Sequence, residues 1–152
     1  MRELIERYVR ELVKIPSTSN TETEKSCADY IAEELAKQPY FKEYPEQTGK
    51  YLLPEDSFGR SVPWGLVKGR NGSRKTIILT GHYDVVDTEE YGNERALAYD
   101  VEKWENLVKS GNALPGMPEE VKEDFLSGEW MFGRGTADMK GGLSVGLALL
   151  DW

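Results

Sequence analysis

The chain has 152 residues, 39% hydrophobic and 30% charged, a balance ordinary for one soluble globular domain. Its 27 Asp and Glu outnumber 19 Lys and Arg, and the resulting formal charge of −8 argues against nucleic acid or an anionic membrane surface as partner. No apolar run is long enough to span a bilayer, the N-terminus MRELIERYVRELVK has no signal-peptide core, and the single cysteine, Cys27, cannot form an internal disulfide. A cytoplasmic location is the expectation.

Leu4, Ile5, Tyr8, Val9, Leu12 and Val13 recur at helical spacing and predict a helix over Arg2–Lys14. Ile15-Pro16 stops it, because the residue before proline avoids the α region. Ser17–Asn20 reads as a loop. Thr21 and Glu24 have the spacing of a capping box. They open a second helix with Cys27, Ala28, Ile31 and Leu35 inward, ending before Pro39; Cys27 is then a buried structural thiol. A strand is expected near Tyr40–Tyr44 and another over Trp64–Lys68, with Pro63 marking an edge position. Asn71-Gly72 is a turn signal that joins the latter, antiparallel, to Thr76–Thr80.

Ile77, Ile78 and Leu79 form a short apolar run that predicts a buried central strand. His82, the only histidine, follows at its carboxyl end, and Asp84 shares its face two residues on. Open α/β sheets bind ligands at that end. The pair suits a metal ligand backed by a carboxylate, and equally a strand-end histidine bonded to its neighbour. Thr88–Ser127 then separates this stretch from the next motif. It has room for helices over Asp100–Lys109 and Glu119–Leu126, the latter opened by Pro118, and it reads either as a lid or as surface decoration. Gly133–Gly142, GRGTADMKGG, follows a strand end at Phe132. Its glycines allow a tight turn, and Asp138 precedes a helix running from Lys140 to Trp152. Leu143, Leu147 and Leu150 line one face of that helix. The helix has no terminal cap and reads as cut in the middle or at its end. A phosphate loop is a poor fit, since the Gly-Lys-Ser/Thr ending is missing.

Gly81, His82, Asp84, Val85 and Val86, with Gly133 to Gly142, resemble the two signatures of the co-catalytic di-zinc metallopeptidase and amidohydrolase family. That family includes glutamate carboxypeptidase, aminoacylase, acetylornithine deacetylase and succinyl-diaminopimelate desuccinylase. The insertion and Gly128–Gly142 look most like an arginine-utilisation branch of it. The resemblance implies an α/β fold, in which residues 1–152 are the N-terminal part of a catalytic domain: a mixed sheet with helices on its faces. The dimerisation domain is absent. It implies that His82 is a ligand of one zinc, that Asp84 orients His82 for catalysis, and that Asp138 bridges two zinc ions and is followed by a cis peptide. The substrate is expected to be amino-acid-like or a peptide. The family's Glu-Glu pair, whose first member is the general base, has no match here. The chain alone is therefore expected to bind zinc weakly, to be inactive, and to self-associate through apolar surface near Leu147 and Leu150. A non-catalytic module that kept the fold is the alternative. Arg134 and Lys140 have the chemistry of substrate-carboxylate binders, but the resemblance gives them no such role and they read as structural.

Overall fold

The computed structural model describes residues 1–111 and 116–150. Helix α1 (Arg2–Lys14) forms where the spacing predicts it, with Tyr8, Val9, Leu12 and Val13 buried on one side. Ile15, before Pro16, is extended and ends it. Helix α2 (Thr23–Lys37) buries Cys27, Ala28, Ile31 and Leu35, as its pattern requires. Its start departs from the expected capping box. Thr21 Oγ1 donates to the Thr18 carbonyl at 2.7 Å, and the Glu24 carboxylate accepts from the Asn20 N–H at 2.6 Å rather than from Thr21.

Helix α3 (Pro39–Glu43) occupies the segment expected to be a strand over Tyr40–Tyr44. Pro39 presets the first helical φ. One turn apart, the Tyr40 and Tyr44 rings sit 5.0 Å from each other, while Phe41 points inward. Strands β1 (Thr48–Leu52) and β2 (Ser61–Gly65) form an antiparallel pair, Thr48 opposite Gly65 and Leu52 opposite Ser61. Strand β2 thus starts before the expected Trp64–Lys68 and runs through Pro63. Its partner comes from a stretch that carries no clear pattern, not from Thr76–Thr80.

The expected central strand is the main correction. Ile77, Ile78 and Leu79 are 89%, 79% and 61% exposed, and among the described residues they join no ladder. A β-branched run has local strand preference, but a strand needs neighbours to bond to. Here α1, α2 and the last helix share one core, and among the described residues no strand pairs with Ile77–Leu79. Among the described residues the molecule is helix-rich with a small two-stranded antiparallel sheet, consistent with the expected α/β class, while the mixed sheet expected around that segment does not form.

In the insertion, residues Glu89–Tyr99 wind as 3-10 turns. Helix α4 (Val101–Ser110) is capped by the Asp100 carboxylate, which accepts from the Lys103 N–H at 3.0 Å, and Gly111 closes it in the left-handed region. Helix α5 (Glu119–Ser127) begins at Glu119 as expected, with Pro118 just before it, and ends one residue later than Leu126. Leu97, Trp104 and Phe125 bury one another with Phe132, in a satellite core whose Trp104 and Phe125 rings meet edge-on at 6.0 Å. Phe132 serves this core; the strand end expected there does not form.

Helix α6 (Gly141–Leu150) packs Leu147 and Ala148 against Tyr8, Leu12, Ile31 and Leu35 in the main core. Asp151 and Trp152, the last residues of the expected helix, lie outside the described residues. Because Leu147 is buried, the exposed apolar side chains of α6 are Val145 and Leu149, not Leu147 and Leu150 as expected. Lys140, just before α6, is wholly buried. Its Nζ donates to the Leu12 carbonyl at 2.9 Å and the Ile15 carbonyl at 2.6 Å.

Burial pushes the Lys140 pKa down to about 8. An unfolded lysine titrates near ~10.4. Between these values the unfolded chain holds more protons than the folded one, so this group makes stability rise with pH across the window. Lys140→Met removes the donor to the Ile15 carbonyl and leaves the Leu12 carbonyl with the Ile15 N–H alone. It is expected to lower the unfolding free energy by about 1–3 kcal/mol at neutral pH. The deficit should widen as pH rises from about 8 towards ~10.4, as read by urea denaturation across that range.

Candidate functional site

The Ser17–Asn20 loop and the segment after Ile77–Leu79 are zipped together by a short parallel bridge between Thr18 and Val85. The Val85 N–H donates to the Ser17 carbonyl at 2.8 Å, and the Ser19 N–H donates to the Val85 carbonyl at 2.9 Å. Ser17 Oγ adds a 2.5 Å bond to the Tyr83 carbonyl. This zipper fixes the backbone on both sides of Asp84. Ser19 Oγ then donates to Asp84 Oδ2 at 2.6 Å and holds the carboxylate itself.

His82 Nδ1 lies 3.0 Å from the Asp84 carbonyl oxygen and 3.3 Å from Asp84 Oδ1. Its Nε2 lies 2.9 Å from Asp138 Oδ1. A neutral imidazole has one N–H and can satisfy only one of these sides; the imidazolium satisfies both. Partial burial works against that charge. The Asp84 carbonyl, the Asp138 carboxylate and the two nearby negative charges outweigh it, and the His82 pKa is raised above its ordinary value.

Asp138 reaches His82 from the Gly133–Gly142 motif. Residues Thr136–Lys140 form a wide turn in which the Lys140 N–H donates to the Gly135 carbonyl at 2.8 Å. Gly135 sits at φ 81°, and a Cβ there would meet Val85 Cγ1 at 2.7 Å. A side chain at Gly141 would run into the Thr136 carbonyl. The turn closes only on glycine at both positions. The Asp138–Met139 peptide is cis, as the resemblance implies. The Asp138 side chain is 87% exposed, so a ligand can reach its carboxylate although Oδ1 meets His82.

His82, Asp84 and Asp138 therefore stand together, on the wall of a cavity of about 290 Å³ that Ser19, Arg134 and Thr136 also line. For a zinc ion held at about 2.0–2.2 Å, two ligands at a tetrahedral angle stand roughly 3.4 Å apart. Opening the His82–Asp138 contact by about half an ångström at the exposed carboxylate would admit one. Asp84 already holds Nδ1, so Nε2 is the nitrogen offered, as in carboxylate–histidine–zinc arrangements. The donor set fits a zinc ion on this side, but among the described residues no group of three or more His, Cys, Asp or Glu is disposed to hold a metal. Two features of the site had no signal in the sequence. Ser19 lies in a loop of unremarkable pattern. Arg134 pairs with Glu90, a residue from the insertion.

The chain is 35% identical over 148 residues, 97% of its length, to Protein RocB of Bacillus subtilis. The chain is similar to RocB. It is also 38% identical over 141 residues, 92% of its length, to the uncharacterized protein YqjN of the same organism. The stretch shared with RocB is 25% of that protein, and the stretch shared with YqjN is 24% of it, so the chain spans about a quarter of the relatives it matches. No family model matches the chain, and no solved structure matches it. Among the described residues no helix is long and apolar enough to cross a membrane.

The single histidine makes the electrostatics directly measurable. In metal-free protein, the His82 imidazole protons should titrate above the ordinary ~6.5, and Asp138→Asn should bring that value down. A raised folded pKa means this group's stabilisation is full below about 6.5 and is lost as pH rises through the folded value. A His82 titration at or below the ordinary value would contradict the double acceptor geometry.

Proposed function

We propose that this chain is the N-terminal, metal-binding part of a zinc-dependent hydrolase of peptide or other amide bonds, acting on amino-acid-like substrates in arginine utilisation. The observation that carries the reading is the meeting of His82 Nε2 and Asp138 Oδ1 at 2.9 Å, from two motifs 56 residues apart, with Asp84 behind the ring. The similarity to RocB adds to it.

The chemistry that zinc supplies when bound is polarisation of the amide carbonyl and a fall in the pKa of a water from ~15.7 towards ~7. His82 offers Nε2 to that ion. Asp84 accepts the Nδ1–H, selecting the tautomer, and Ser19 keeps Asp84 from turning away. Asp138, largely in solvent, directs its carboxylate into the same cavity. Proton transfer from a water needs a base, and among the described residues no glutamate lines the cavity. The chain by itself is therefore read as a binding half-site without turnover. A second reading, a non-catalytic module, is favoured by the donor set of two, since a catalytic zinc keeps three protein ligands.

Zinc titration followed by the His82 imidazole signals tests both. Zinc is expected to shift these signals with weak affinity, and Asp84→Asn is expected to weaken binding about 10–100-fold. If zinc leaves His82 unmoved, the metal reading fails. N-acetyl amino acids should not be hydrolysed by the isolated chain. Zinc-dependent turnover that disappears in His82→Ala would mean that the chain carries its own base.

A further inference from the structure

Arg134 stands on the wall of the same cavity, and its side chain is not spent on holding the loop. The main chain does that, through a 2.6 Å bond from the Arg134 N–H to the Ala98 carbonyl. The side chain is only 17% exposed. Its guanidinium carbon lies 5.4 Å from the centre of the Tyr91 ring, and the group is ion-paired to Glu90. Its Nε is shielded from solvent and has no hydrogen-bond partner.

A guanidinium carries its donors in a rigid planar fork that matches a carboxylate edge to edge. An arginine that only braces a fold distributes those donors over fixed acceptors around it. Arg134 instead has a sheltered, unused donor and one acidic partner. That partner is 60% exposed and sits in the first turn of Glu89–Tyr99, ahead of the break at Gly92, where φ is 52°. Glu90 is thus a surface acid that reaches in and can return to water. Lys140, the other cation of the motif, is the opposite case, wholly buried and committed to two carbonyls.

We propose that Arg134 is the carboxylate-binding subsite of the His82–Asp138 cavity, and that Glu90 fills it when no ligand is bound. This rests on the reading of the cavity as a substrate site, and it names what the cavity takes: a small molecule with a carboxylate close to an acylated nitrogen. The carboxylate displaces Glu90 and docks bidentately on the guanidinium fork. Asp84 and Asp138 line the same cavity and repel that group, so the ligand is expected to present its carboxylate to Arg134 and its amide to His82. The exchange replaces one carboxylate by another and changes no covalent bond.

The test uses the full chain in EDTA with N-acetylglycine as the probe, followed by the backbone amide signal of Gly135, which lines the cavity beside Arg134, in heteronuclear NMR. A saturable shift is expected in the wild type. Arg134→Lys, which keeps the charge but loses the fork, should bind roughly tenfold more weakly. Glu90→Gln, at an exposed position where folding is not at stake, should bind several-fold more tightly because the competing carboxylate is gone. The inference is overturned if Arg134→Lys binds like wild type while circular dichroism reports an intact fold, or if Glu90→Gln binds no more tightly. It is also overturned if N-acetylglycinamide or inorganic phosphate binds as well as the acid. Because no metal is present, these results stand even if zinc never engages His82, and failure of one reading is separable from failure of the other.

Discussion

The ammonium of Lys140 against the carbonyls of Leu12 and Ile15 is the contact on which the rest of the molecule turns. The last carbonyls of a helix have no partner within it and carry the negative end of its dipole. In α1 these groups face the core, and Pro16 denies the chain a further turn. The Leu12 carbonyl takes the Ile15 N–H, and the further donor for it and for the Ile15 carbonyl comes from the residue before α6. That one side chain completes α1, sets where α6 begins, and fixes the turn that carries Asp138 two residues earlier. The packing of Leu147 and Ala148 on Tyr8 and Leu12 follows from the same alignment.

Much of the helical structure was legible in the sequence because its causes are local. In α1 the apolar period and the Ile15-Pro16 stop specify both the face and the end. In α4 the Asp100 cap and Gly111 bracket the segment. Pairing between strands has no such local cause. β2 finds β1 across a turn built from Asp56 and Arg60, and nothing in Thr48–Leu52 marks it as a strand in advance. Ile77–Leu79 has the composition of a strand and lacks the neighbours that would make it one. Pro39 illustrates the reverse error: an aromatic run read as strand becomes a helical turn because proline can start one.

The candidate site divides in the same way. The relation of His82 to Asp84 is a spacing of two and could be read directly. The approach of Asp138 to His82 depends on the fold of the whole chain, and only the resemblance of both motifs suggested it. Ser19 and Glu90 are visible only in three dimensions, since one is brought by the parallel bridge to Val85 and the other by the winding of the insertion. The two cations of the second motif looked alike in sequence and differ in structure. Lys140 is locked into the frame, whereas Arg134 keeps a donor in reserve at the cavity wall.

The chain ordering of these contacts has an entropic side. α1 lies at one end of the described chain and α6 at the other, and the Lys140–Leu12 bond joins residues 128 positions apart. Contacts of such separation close large loops, at an entropic cost that grows with loop length. His82 and Asp138 are themselves 56 positions apart, so their contact closes a large loop as well. Fraying of α6 would loosen the main core that it shares with α1 and α2. Any ligand that spans His82 and Asp138 acts as a clasp between distant parts of the chain, and by mass action it protects the docked state as a whole rather than the cavity alone.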